Sequence, residues 1–310
     1  MKKIKMKKTI VFVLIGAAVL QAGVIGYSMV EKQLFSSIAE STGASQDTEG
    51  SGSTSEASQT AQTSQTVDTA IIADNNDSTN TDISQEIQDL IKQSDPDNFE
   101  RNLSNYKDLL TSFDVHLSLK NEIESLIKDG HNVKDILTTY AFLYDSYGLK
   151  DELKKLVNEK ESGREWADIF TEYNTENPEF EPRSFESSYL DKLMGISGIS
   201  NDDIMIADRV SCKTNVSIDE IIELKAKTSK WKVVNASLGI INSQQHLPYV
   251  PITAQMVNKY LSGDMTEDTV VDALIIANKL NTSSSDIVEM IKAGLSIEQV
   301  YAKVYESKYY

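Results

Sequence analysis

Residues 203–239 read DIMIADRVSCKTNVSIDEIIELKAKTSKWKVVNASLG, and residues 269–305 read TVVDALIIANKLNTSSSDIVEMIKAGLSIEQVYAKVY. The two align without a gap at an offset of 66. Ala207 meets Ala273, Val210 meets Ile276, Asn215 meets Asn281 and Ile221 meets Ile287. Leu224 meets Met290, Trp231 meets Ile297 and Val234 meets Val300. The matched apolar residues fall three and four apart, the spacing of one helix face. Each segment therefore predicts three short helices. The first ends at the asparagine. The second starts behind a serine cap, with Ser217 before Glu220 and Ser283 before Asp286. The third opens at Trp231 or Ile297.

A shorter copy lies upstream at an offset of 164, where Ile123, Leu126, Gly130, Val133 and Ile136 match Ile287, Met290, Gly294, Ile297 and Val300. A degraded copy with Leu153, Leu156, Gly163, Trp166 and Ile169 lies between. One such unit cannot bury its apolar face alone, so units must stack and share a core. Strand-like alternation is nearly absent, and each proline falls between periodic stretches. The predicted class is all-α: a helical repeat array of stacked three-helix units, with N-terminal repeats over 84–182 and C-terminal repeats over 183–310. One elongated domain and two smaller ones joined near Asn174–Arg183 both fit.

The first 83 residues have a different composition. Lys2, Lys3, Lys5, Lys7 and Lys8 precede an apolar run from Thr9 to Val30. A helix over these 22 residues, at about 1.5 Å each, spans a hydrocarbon core of about 30 Å. The lysines predict a cytoplasmic tail over 1–8, a single transmembrane helix over 9–30, and the remainder outside the cell. A cleaved signal peptide, cut after Leu20-Gln21-Ala22, is the rival reading. No cysteine lies near the run, which excludes a lipid-modified anchor. Residues 31–83, rich in Ser, Thr, Gln, Asp and Gly, predict a disordered tether.

The net charge is −17, which includes the five leading lysines, so the chain beyond residue 30 carries −22. Such a surface repels phosphates, and no nucleic acid partner is expected. Cys212 is the only cysteine, so no internal disulfide exists; it lies in a predicted helix, where a buried thiol is expected.

The repeat pattern of Ser217, Ile221, Leu224, Ser229, Trp231 and Val234 resembles short helical repeats in membrane-anchored surface proteins of Gram-positive bacteria. The resemblance covers residues 117–174 and 200–310 and implies no activity. The same segment also resembles the first two helices of a helix-turn-helix. The reading helix that should follow is Asn242-Ser243-Gln244-Gln245-His246-Leu247-Pro248, which has no basic residue and is cut short by proline.

No catalytic, metal or cofactor constellation is legible. His116, His131 and His246 stand outside any ligand spacing and are expected at the surface. There is no phosphate loop and no nucleophile elbow. Aromatics suggest a recognition surface instead. Tyr140, Tyr144 and Tyr147 crowd one helix, and Phe180 and Phe185 mark a loop that reads as a docking segment. These five are the candidate partner-binding residues. The expectation is a membrane-anchored interaction module at the cell envelope, not an enzyme, whose partner is an envelope protein or a cationic ligand. The alternatives are a wall-directed hydrolase or its accessory subunit, working through a carboxylate pair, and a structural spacer.

Overall fold

The computed structural model describes residues 12–14, 66–74, 81–263 and 265–310. The fold is all-α, with fifteen helices among the described residues. They are α1 (Thr69–Asp74), α2 (Gln85–Ser94), α3 (Phe99–Ser112), α4 (Leu117–Lys128) and α5 (Val133–Asp145). Next come α6 (Lys150–Glu161), α7 (Trp166–Glu176), α8 (Ser187–Met194), α9 (Asn201–Thr214), α10 (Ile218–Thr228) and α11 (Trp231–Ser237). The chain ends with α12 (Ala254–Tyr260), α13 (Glu267–Lys279), α14 (Ser284–Lys292) and α15 (Ile297–Tyr309). Two short strands, β1 (Phe12–Leu14) and β2 (Tyr249–Pro251), pair antiparallel with Val13 opposite Val250. Apart from β1, the apolar run 9–30 lies outside the described residues. Among those residues no helix is long and apolar enough to cross a membrane.

Local chemistry sets the helix ends. The Ser217 hydroxyl accepts from the Glu220 N–H at 3.3 Å and opens α10. Ser200 and Asp203 cap each other's backbone N–H at the start of α9, as Ser296 and Gln299 do for α15. Asn215 and Asn281 both turn left-handed, at φ 58° and 49°; asparagine tolerates that region better than most residues. Gly130, Gly163 and Gly294 follow α4, α6 and α14 at φ 90°, 97° and 86°.

The helices bury two large cores and a small one. The first core joins α2–α7 to α13–α15. In it Phe142 stacks on Phe170 with centroids 3.9 Å apart, and Trp166 lies 5.4 Å from Phe170. The last helix, α15, packs on α5 and α7, so residues 297–309 close on residues 133–176 of the same core. Tyr310 completes this contact: its hydroxyl accepts from the Trp166 indole at 3.2 Å and donates to Asp135. The second core gathers Tyr147, Leu193 and the inner faces of α9–α11 around Trp231. The Trp231 indole donates to Asp203 at 2.7 Å. Burial pushes Asp203 up, but its bonds from Ser200 and Trp231 and the nearby Lys225 outweigh this and hold it below the ordinary carboxylate value. The third core packs Val250 and Ile252 against α12 and α13.

Three expectations are corrected. Residues 66–74, inside the stretch read as tether, fold onto the domain. The Asp68 N–H donates to the Ser237 carbonyl at 2.7 Å, α1 packs on α11, and Val67 joins the second core. The short apolar cluster Val67, Ala70, Ile71 and Ile72 was hidden by the polar average around it. Cys212 is exposed, because α9 turns that side outward. His116 is buried, where its Nδ1 accepts from the Ser118 N–H at 3.2 Å and caps α4.

Candidate functional site

The two large cores meet where α5 ends. The Gly148 carbonyl accepts from the Ile241 N–H at 2.9 Å, and the Gly239 carbonyl accepts from the Lys150 N–H at 2.7 Å. This bridge ties the turn after α5 to the turn after α11. A Cβ on Gly148 would stand 2.5 Å from Leu143 Cδ2, so only glycine fits. Tyr147, just before it, takes φ 53°, a conformation that bulky side chains rarely adopt. That turn sends the Tyr147 ring away from α5 and into the second core.

A cleft of about 290 Å³ opens beside this junction. Asp145, Ser146 and Tyr147 line it from the end of α5, and Tyr173 and Asn174 from α7. The strap that follows α7 adds Asn177, Glu179, Phe180 and Glu181. Arg209, Cys212 and Lys213 come from α9. The strap is clipped to α9 at two points. Arg183 Nε donates to Asp208 Oδ1 at 2.5 Å, and Lys213 Nζ donates to Asn177 Oδ1 at 2.6 Å. The Asp208 side chain is wholly buried, so its ion pair with Arg183 matters more than a surface pair would.

Most charges here are engaged. Lys213 also donates to the Tyr173 hydroxyl at 3.0 Å and lies 3.5 Å from Glu152. Burial pushes its ammonium down, and Glu152 opposes that. Arg209, 7% exposed, stacks 3.9 Å over the Tyr147 ring. Half-buried Asp145 accepts from the Tyr305 hydroxyl at 2.7 Å. Burial raises its carboxyl, while Lys279, Tyr305, Lys308 and Arg209 pull it back. Lys279 is pushed down to about 8 by burial, against the pull of Asp145. The Cys212 thiol is raised by burial, so it is not a poised nucleophile. The hydroxyls of Ser146 and Tyr147 are buried without a hydrogen-bond partner among the described residues.

Of the five residues singled out from sequence, Tyr147 and Phe180 line the cleft. Tyr140 and Tyr144 do not: they are 1% and 6% exposed, in the first core. The exposed tyrosine face predicted for α5 is therefore overturned. The helix is central, with α3, α4, α6 and α15 all packed on it. Phe185 lies apart from the cleft, against Tyr189 at 5.7 Å. Asp145, Arg209, Lys213 and Lys279 were missed. A signal for Arg209 existed, because Asp208-Arg209 aligns with Leu274-Ile275 at the same offset of 66. A charged pair in a core register marks a place where one copy does something else.

Among the described residues no group of His, Cys, Asp or Glu is arranged to hold a metal ion. In comparisons with family models, curated proteins and solved structures, the chain matches none.

Proposed function

We propose that the chain is a membrane-anchored, extracytoplasmic interaction module built of helical repeats, and that its cleft receives part of a partner at the cell envelope. The cleft is the observation that carries this reading. It sets three aromatic rings, Tyr147, Tyr173 and Phe180, among charged groups of both signs, including Asp145, Glu181, Arg209 and Lys213, and aromatic and arginine side chains are enriched where proteins bind one another. The anchor rests on the leading lysines and the apolar run. The repeat reading is supported by the shared left-handed φ of Asn215 and Asn281 and by the matching glycines Gly130, Gly163 and Gly294.

Protease digestion of intact protoplasts tests the topology: residues beyond 31 are lost if the domain faces outward, and full protection refutes that. Capture from solubilised envelope tests recognition. The full chain is used with Cys212 either free or carrying a bulky maleimide that fills the cleft. A protein captured by the free form alone supports the reading, and equal capture by both refutes the cleft's role.

Asp145 favours a second reading. A carboxyl raised by burial, in a cleft that also holds Glu176, Glu179 and Glu181, is what a wall-directed hydrolase would need. Against this, the carboxyl is committed to Tyr305 at 2.7 Å. The hydrolase reading predicts release of soluble fragments from purified wall by the wild type and none by Asp145→Asn. No release by the wild type sinks it.

A further inference from the structure

We propose that the strap after α7, residues 178–185, is a movable wall of the cleft, latched to α9 by the Arg183–Asp208 pair, and that it swings out to admit the partner. This inference rests on the recognition reading and supplies its moving part. The strap runs from α7, in the first core, to α8, whose Leu193 lies in the second. It holds no helix or strand. Among the described residues no backbone–backbone hydrogen bond ties any part of it. Pro178, Glu181, Pro182, Arg183 and Ser184 are exposed. A segment with a solvated backbone and few buried contacts belongs to the part of a domain that opens most readily. Pro178 and Pro182 stiffen the piece between them, and Glu179, Phe180 and Glu181 on that piece line the cleft. Moving the piece therefore moves the wall. Phe185, half-buried against Tyr189 at 5.7 Å, marks its far end.

Side chains of α9 hold the strap shut. The Arg183 N–H donates to Asp208 Oδ2 at 3.0 Å, and its Nε donates to Asp208 Oδ1 at 2.5 Å. One carboxylate thus grips a backbone and a side-chain donor of the same residue. The Asp208 side chain is 0% exposed and that of Arg183 is 46% exposed. Opening would return the guanidinium to water and strip the buried carboxylate of these two donors, which drives reclosing. Lys213, the second clip, also donates to Tyr173 at 3.0 Å and lies 3.5 Å from Glu152, so it keeps partners when Asn177 moves. The Arg183–Asp208 pair therefore sets the balance between shut and open. The shut cleft, about 290 Å³, is at the small end for ligand sites and too small for a stretch of polypeptide. Opening supplies the room.

Hydrogen exchange and thiol access test this on the full chain in detergent, as wild type and Arg183→Ala. The amide at position 183 reports the latch, and fragmentation mass spectrometry resolves it. Losing the charged contact should speed its exchange about tenfold, with the amides of α9 unchanged. Cys212 lines the cleft and is exposed, so it reads the width. Its labelling by a bulky fluorescein maleimide is divided by its labelling by iodoacetamide. Arg183 also favours the thiolate, and a change in thiolate fraction cancels in that ratio. The ratio should rise several-fold in Arg183→Ala. It should stay put in Lys154→Ala, which breaks only an exposed pair with Asp129. Should Arg183→Ala unfold, Arg183→Ala/Asp208→Asn, which leaves no charge of this pair buried, is read in the same way.

An unchanged ratio overturns the movable wall, whether or not exchange at position 183 is faster, and leaves recognition to the capture comparison. Exchange at position 183 that does not respond to the variants overturns the latch. Both expected changes, joined to equal capture by free and maleimide-filled Cys212, would keep the moving wall and refute the recognition it serves.

Discussion

Replacing Tyr147 by phenylalanine should make the free protein more stable, although it removes a polar group from the interior. The Tyr147 ring is 1% exposed and packs in the second core, with Arg209 stacked on it at 3.9 Å. Phenylalanine keeps that ring and that packing. What it removes is a hydroxyl with no hydrogen-bond partner among the described residues. Burying a hydroxyl unpaired costs about 1–3 kcal/mol. At the lower end, Tyr147→Phe gains about 1 kcal/mol of unfolding free energy, which is about 2–4 °C for a domain of this size.

Tyr305→Phe is the matched control. Tyr305 is equally buried, but its hydroxyl donates to Asp145 at 2.7 Å. Losing a bond to a carboxylate should cost about 1.5–3 kcal/mol. Urea unfolding followed by tryptophan fluorescence reads both variants, since Trp166 reports on the first core and Trp231 on the second. The expected result is opposite shifts of the two midpoints. A loss of more than about 1 kcal/mol in Tyr147→Phe would show that the hydroxyl is satisfied in the free protein.

Other perturbations test the fold and its ionisations. Gly130→Ala and Gly294→Ala put a side chain at φ 90° and 86° with nothing within 4 Å to clash, so each should cost only the backbone term, about 1 kcal/mol by chemical denaturation. Gly148→Ala should cost distinctly more, because its Cβ meets Leu143 at 2.5 Å. Asp95 is held down to about 2 by its bond from Lys134 at 3.0 Å, together with Asn98 and Asn102. Its folded value lies below the unfolded one, so its stabilisation is full above about pH 4 and is lost as pH falls toward 2. Asp95→Asn should therefore cost about 1 kcal/mol at neutral pH, with the two proteins converging in acid. Lys279 is the opposite case. Its folded value of about 8 lies below its unfolded value, so the unfolded chain binds the extra proton above pH 8 and stability rises there. Lys279→Met should abolish that rise between pH 8 and 9.5; an unchanged slope would mean that the ammonium is solvated.

The helices were legible because their signals are local. Serine caps, left-handed asparagines and three- or four-residue apolar spacing act within one turn, and they define α9–α11 and α13–α15 without any tertiary contact. The closure of α15 on α5 and α7 was not legible, since apolar periodicity says which face is buried but not against what. The tyrosines of α5 were misread for the same reason. Tyr140, Tyr144 and Tyr147 crowd a short stretch and read as a recognition surface, but α5 is surrounded and buries Tyr140, Phe142 and Tyr144 on different sides. The cleft was legible only in part. Phe180 stood out as an aromatic on a loop, whereas Asp145 and Lys213 looked like ordinary helix-end charges. Their burial arises where the end of α5 and α7 meet α9, contacts between residues far apart in sequence.

The departure at residues 208–209 explains why the cleft sits beside α9. In α13 the aligned pair, Leu274 and Ile275, is buried in the third core beside Val250 and Ile252. In α9 the same two positions hold Asp208 and Arg209, and both remain buried. Asp208 clips the strap through Arg183, and Arg209 lies over Tyr147 and lines the cleft. Lys213 and Lys279 also align, yet one braces the strap through Asn177 while the other faces Asp145 from behind. A buried charge is stable only with a partner. Asp208→Leu/Arg209→Ile, which restores the apolar pair of the other copy, should therefore release the strap, read as faster proteolysis between Asn177 and Glu186, while α9 keeps its helical register. Proteolysis of the strap at the wild-type rate would show that the Arg183–Asp208 pair is not what holds it.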